Sequence, residues 1–94
     1  MHSIKHLLNW LILGSKGGET RKKILLILKK KPMNNNNLAK EINMDYKTVQ
    51  HHIKILQENQ LISSIGNKYG QVYIISQLLE DEIDLFKKMI GDED

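Results

Sequence analysis

The sequence contains no cysteine, and its 94 residues include one proline, one phenylalanine and one tryptophan. Without cysteine there is no disulfide framework and no thiolate metal site, so we expect an intracellular, cytoplasmic protein. The longest purely apolar run, Ile24 to Leu28, is far shorter than the roughly 20 residues of a membrane-spanning helix. These absences predict a single domain that folds around an ordinary hydrophobic core.

Charge is distributed unevenly along the chain. Residues 1–75 carry 12 Lys and Arg against 4 Asp and Glu, whereas residues 76–94 carry 2 against 7. A basic body favours a polyanionic partner, and an acidic end would be repelled by phosphate. We therefore expect the last part of the chain to point away from any nucleic acid that the body binds.

Residues 34–56 predict two helices that meet at a tight corner. Asn34 can cap the first helix, and Asp45 can cap the second after the pattern breaks at Asn43 and Met44. One face of the second helix points inward and consists of Val49, His52, Ile53 and Leu56. Its opposite face carries Lys47, Gln50, His51 and Lys54. Alone, that polar face would be an ordinary solvated surface, but the whole stretch has the spacing of a helix-turn-helix.

Residues 38–42, 45–56 and 61–62 resemble the winged helix-turn-helix of ArsR-type transcription regulators, especially archaeal ones, and the likeness extends over about residues 19–79. The resemblance implies a mostly α fold with a small β-hairpin (α+β), and a second helix that enters the DNA major groove. The residues of that helix which it implies at the DNA interface are Tyr46, Lys47, Thr48, Gln50, His51 and Lys54. Gln50 and His51 are expected to read sequence, because glutamine can pair bidentately with adenine. Lys47 and Lys54 are expected to bind phosphates, and Thr48 to cap the helix or touch a phosphate.

Two strands are predicted after the second helix, at 61–65 and 71–75, with a glycine-containing turn between them. Such a hairpin is the wing of the resembled family. Lys68 at its tip is predicted to contact DNA, on the backbone or in the minor groove. Tyr69 is predicted either to pack on a sugar or to brace the hairpin, and the sequence favours neither.

Amphipathic helices are predicted at both ends of the chain. The first spans residues 1–13 and is followed by a glycine-rich, flexible joint at 14–18; Ser76 caps the last, which runs to about Ile90. Regulators resembling this chain dimerise through terminal helices, which implies a homodimer with these interface residues: Ile4, Leu7, Leu8, Leu11, Leu79, Ile83, Phe86 and Ile90. The basic run 21–23 between these helices is expected to serve either solubility or phosphate contact.

The predicted organisation is one winged helix-turn-helix domain over 1–94, with an N-terminal helix at 1–14, a core at 19–75 and a C-terminal helix at 76–91. No catalytic constellation is visible, so no enzyme activity is expected. No metal or cofactor is expected either, because the metal-sensing members carry cysteines or a histidine on the last helix, which this sequence lacks. Two alternatives to a sequence-specific regulator remain: a sequence-tolerant DNA-coating protein and a winged-helix protein-protein module.

Overall fold

The computed structural model describes residues 3–67 and 69–92. Helix α1 (Ile4–Leu8) continues as a π-helical segment (Asn9–Leu13) and is followed by α2 (Gly18–Lys30). The pair α3 (Asn35–Ile42) and α4 (Tyr46–Glu58) comes next, then strands β1 (Ile62–Ile65) and β2 (Val72–Ile75). Helices α5 (Gln77–Asp81) and α6 (Ile83–Ile90) follow. The predicted fold class, mostly α with one β-hairpin, is confirmed.

The hairpin is antiparallel, with Ile62 opposite Ile75 and Ile65 opposite Val72. Its second strand also pairs with the connection before α3, where Met33 and Tyr73 exchange two backbone hydrogen bonds of 3.2 and 2.9 Å. This pairing is a single bridge rather than a third strand. That bridge ties the hairpin to the start of the helix-turn-helix.

The core takes residues from every helix and from the hairpin. Its fully buried side chains include Leu8, Leu11, Ile24, Leu25, Leu38, Val49, Leu56, Leu61, Leu79 and Phe86. Burying one such leucine contributes about 2 kcal/mol of transfer free energy. Because both terminal helices contribute to this core, they are integral to the fold of a single chain.

The predicted N-terminal helix does not keep α-helical geometry throughout. After Leu8 it widens into a π-helical turn, and the N–H of Gly14 bonds the carbonyl of Asn9 at 2.8 Å. The wider turn changes the rotation per residue. Leu11 and Ile12 are buried in this segment, whereas Trp10 and Leu13 are 63% and 59% exposed.

The predicted C-terminal helix starts at the predicted cap but is interrupted. Ser76 accepts a hydrogen bond from the N–H of Leu79, which begins α5, and the helix breaks at Glu82 before α6. Glu82 itself leaves helical geometry, with a φ of −117° and a ψ of 25°.

The burial pattern revises the predicted dimer interface. Four of its residues, Leu8, Leu11, Leu79 and Phe86, have no exposed surface because they pack within the single chain. They belong to the core and have no surface with which to contact a second subunit. The other four, Ile4, Leu7, Ile83 and Ile90, are only partly buried against that core. Their contact with a partner stays a prediction.

Candidate nucleic-acid interface

A left-handed residue and a side-chain cap form the corner between α3 and α4, and a second cap begins α3. Asn34 Oδ1 accepts from the N–H of Asn37 at 2.8 Å and starts α3. Asn43 adopts a positive φ of 55° and ends it, a conformation that asparagine tolerates better than most residues. Asp45 Oδ2 then accepts from the N–H of Thr48 at 2.9 Å and starts α4. Both caps lie where the sequence placed them.

The two faces of α4 differ as the residue spacing predicted. Val49, His52, Ile53 and Leu56 are buried against the core. The exposed residues are Tyr46 at the start of the helix and, on the opposite side, Lys47, Gln50, His51 and Lys54. Three of the five offer amide or ammonium donors, which suit phosphate oxygens and the acceptor-rich edges of bases. The core thus holds the helix while its donor face stays open.

Thr48 is engaged in the cap. Its hydroxyl donates to Asp45 Oδ2 at 3.0 Å, beside the backbone bond to the same oxygen. The N–H of Thr48, followed by this hydroxyl, holds the pKa of the Asp45 carboxyl below its ordinary value. Asp45 is therefore ionised at neutral pH, and its charge favours the helix N-terminus.

A groove of about 450 Å³ lies between α4 and the hairpin. Lys47, Gln50 and Lys54 line one side, and Tyr73 of β2 closes it. Burial, followed by the proximity of Tyr46, raises the pKa of Tyr73, so its hydroxyl keeps its proton. Sequence reasoning missed Tyr73 as a site residue. The available signal was its spacing of two residues from Ile75 along the strand, because this spacing puts both side chains on the same face of the hairpin.

The hairpin tip is held by one side chain. Asn67 Oδ1 accepts from the N–H groups of Tyr69 and Gly70, at 3.0 and 3.1 Å. This leaves the side chain of Tyr69 91% exposed. The predicted DNA contact of Lys68 lies outside the described residues.

A buried polar network lies directly beneath α4, and the sequence did not reveal it. Arg21 is only 3% exposed, and its Nε donates to the carbonyl of Leu11 at 2.9 Å. Its Nη2 donates to Ser15 Oγ at 2.6 Å and to the carbonyl of Lys16 at 3.1 Å. Its Nη1 lies 3.2 Å from Nδ1 of His52 on α4. The phosphate contact considered for Arg21 is therefore wrong, because its guanidinium faces inward.

The Arg21–His52 contact determines the protonation of the imidazole. A guanidinium can only donate, so Nδ1 of His52 must accept and the ring proton resides on Nε2. Burial lowers the pKa of His52, and the charges of Arg21 and His51 lower it further. His52 is consequently neutral at pH 7 and acts as a structural residue, as its place on the inward face predicted.

Within residues 3–67 and 69–92, no three His, Asp or Glu side chains gather as a metal site would require. None of the helices in this described part is long and apolar enough to cross a membrane.

Comparisons with known proteins agree with this geometry. The family described as bacterial regulatory protein, arsR family, matches residues 18–64, which is half of the chain. No curated protein sequence matches the chain. Among solved structures, reduced HlyU from Vibrio cholerae superimposes with a TM-score of 0.68 at 15% identity, covering 92% of this chain and 88% of HlyU.

Two further structures share the fold. An ArsR-like transcriptional regulator from Rhodococcus matches with a TM-score of 0.67 at 19% identity, covering 97% of this chain and 84% of its own. A variant of ZitR from Lactococcus lactis matches at 0.58 and 19%, over 77% of this chain and 54% of ZitR, so the chain spans about half of that relative. These likenesses establish a winged helix-turn-helix fold, and the matched family establishes the kind of protein. The chain belongs to the arsR family of regulatory proteins and is a DNA-binding transcription regulator.

Proposed function

We propose that the chain regulates particular promoters by binding specific double-stranded sequences as a homodimer in the cytoplasm, without catalysing a reaction. Helix α4 would enter the major groove, and the hairpin would touch the backbone or the minor groove. The observation that carries this proposal is the exposed donor face of α4, which is contiguous with the Tyr73 groove and held by a fully packed opposite face.

Within that face the roles differ by chemistry. Gln50 and His51 would read base edges, with Gln50 bidentate to adenine as the main specific contact. Lys47 and Lys54 would bind phosphates, as would Lys68 at the hairpin tip. Thr48 would act through its cap with Asp45, and Tyr46 and Tyr69 would pack against the sugar-phosphate backbone.

Separate substitutions of Lys54 and Gln50 distinguish phosphate binding from base recognition. We expect Lys54→Ala to weaken binding to all duplexes and to lower the slope of log affinity against log salt by about 1, because one phosphate contact is lost. We expect Gln50→Ala to change the preferred sequence, at a cost of about 1–3 kcal/mol on the best site. Fluorescence anisotropy on a duplex selected from a random library, and on random duplexes, measures both effects across a salt series.

Lys88→Ala is the matched control, because it removes the same charge from an exposed position on α6. It should change the salt slope much less than Lys54→Ala does. Equal binding of selected and random duplexes would favour a sequence-tolerant coating protein. No binding to any duplex would refute both DNA-based functions and favour a protein-protein module.

The proposed dimer contact uses the partly buried apolar residues of α1 and α6. Two half-sites increase affinity through effective concentration and set their own spacing on the DNA. Removing α1 and the π-helical segment would be a poor test, because Leu8 and Leu11 belong to the core. Introducing a charge at the end of α6 perturbs the proposed interface without removing core residues.

Ile90→Glu should therefore convert the dimer to a monomer of 10.9 kDa in sedimentation equilibrium. Lys88→Glu places the same carboxylate on an exposed site of the same helix, with a larger change in net charge, and it should leave the dimer mass unchanged. A folded Ile90→Glu protein that still sediments as a dimer would contradict this interface.

A further inference from the structure

A second concave site lies on the side of α4 away from the Tyr73 groove. It is a cleft of about 710 Å³ between the π-helical segment, the 14–18 joint and α4, a volume within the range of small-molecule sites. Ile55 gives it a partly exposed apolar lining above the buried Leu11, and Trp10 stands at its rim with 63% of its surface exposed. The cleft therefore suits the apolar part of a small-molecule ligand.

The cleft also has an unbalanced positive charge. Arg21 lines it, and the acceptors that Arg21 uses are neutral: two carbonyls, the Ser15 hydroxyl and the His52 ring. Within residues 3–67 and 69–92, the one ion pair joins Lys22 to Glu19, so no described carboxylate neutralises Arg21. Lys16 adds a second cation to the lining, against the single acid Glu58. A buried cation without a counter-ion is costly, and an anion in the cleft would relieve that cost.

We propose that this cleft binds a small organic carboxylate with an apolar body. The carboxylate would face Arg21 and Lys16, and the apolar body would pack on Trp10 and Ile55. A neutral ligand would leave the charge unbalanced, and a cation would add to it. Charge complementarity and the apolar lining together therefore define the ligand class.

The cleft is coupled to the DNA-facing side through α4, and this step rests on the proposed DNA binding. His51 lines both the cleft and the Tyr73 groove. An anion bound beside His51 would repel nearby phosphates and compete for the same side chain. The carboxylate should therefore lower DNA affinity, and DNA should lower carboxylate affinity by the same factor.

Trp10 provides a direct readout, because it is the only tryptophan in the chain. The probe is 4-phenylbutanoate, compared with the isosteric neutral 4-phenylbutanamide. We expect a saturable change in tryptophan fluorescence with the acid, and at least roughly tenfold weaker binding of the amide, equivalent to about 1.4 kcal/mol. Equal affinities, or no saturable change with the acid, would overturn the proposal.

Charge substitutions locate the site without touching the structural Arg21. Lys16→Gln should weaken acid binding by roughly threefold or more and leave amide binding unchanged, since an ion pair near the surface contributes up to about 1 kcal/mol. Lys23→Gln, at an exposed position on α2 that does not line the cleft, should alter neither. An equal loss in both variants would overturn the proposal in favour of general surface charge. Trp10 fluorescence without probe should not depend on protein concentration. If it does, a second chain covers Trp10, and the proposal is overturned.

Failure of this proposal can be distinguished from failure of DNA binding. Duplex affinity is measured first without probe, and probe affinity is measured without DNA. Acid binding with no duplex binding would refute the proposed function and support the cleft. Duplex binding that saturating acid leaves unchanged would overturn the coupling between the two sites.

Discussion

Replacing Arg21 with methionine is expected to lower the free energy of unfolding by about 3 kcal/mol, because charge-assisted hydrogen bonds to four acceptors are lost together. The methionine would keep an apolar stem of similar length but donate nothing. The carbonyls of Leu11 and Lys16, together with Nδ1 of His52, would lose their donor at a largely buried site. Urea unfolding followed by circular dichroism measures the change.

Two matched variants identify the cause of that loss. Arg21→Lys keeps the charge, but one ammonium cannot reach acceptors on the joint, the π-helical segment and α4 together, so about 2 kcal/mol should still be lost. Lys22→Met removes a neighbouring cation whose pair with Glu19 is partly exposed, and it should change stability by less than about 1 kcal/mol. If Lys22→Met and Arg21→Met had similar effects, the buried network would not be what stabilises this region.

The helix-turn-helix could be predicted because its determinants are local in sequence. Asn34 and Asp45 cap helices three residues ahead of the amides that they bind, and the inward face of α4 repeats at helical spacing. The family match over 18–64 covers the same region. The resemblance to archaeal members in particular stays untested, as do the individual DNA contacts.

What could not be predicted depends on contacts between residues distant in sequence. Arg21 meets His52 across 31 positions, and nothing in the basic run distinguishes it from Lys22 or Lys23. Similarly, periodicity identified apolar residues in the terminal helices, but it could not tell whether the same chain or a second one would cover them. Leu8 and Phe86 proved to be core residues for that reason.

The role of the joint at 14–18 also could not be predicted from the sequence. Its glycines suggested a flexible segment, whereas in the structure they allow two helical elements to pack closely. Gly17 has a φ of 88°, and a Cβ on it would lie 2.6 Å from Cε1 of His52. Gly18 is buried at the start of α2, where a Cβ would collide with the carbonyl oxygen of Ile12. The two glycines let the π-helical segment lie against α2 and so bring Leu11 and Ser15 within reach of Arg21.

Gly18→Ala should therefore destabilise the protein by about 3 kcal/mol, although alanine is normally the better helix former. The added methyl group meets backbone atoms of Ile12, which no rotamer change can move aside, so α2 and the π-helical segment must separate. Gly14→Ala is the control, because its nearest contact would be 3.4 Å and its φ of −106° suits alanine; it should cost less than about 1 kcal/mol. Urea unfolding gives both values, and Trp10 fluorescence reports whether the π-helical segment has moved. A Gly18→Ala protein as stable as the unsubstituted chain would contradict the close approach of these two elements.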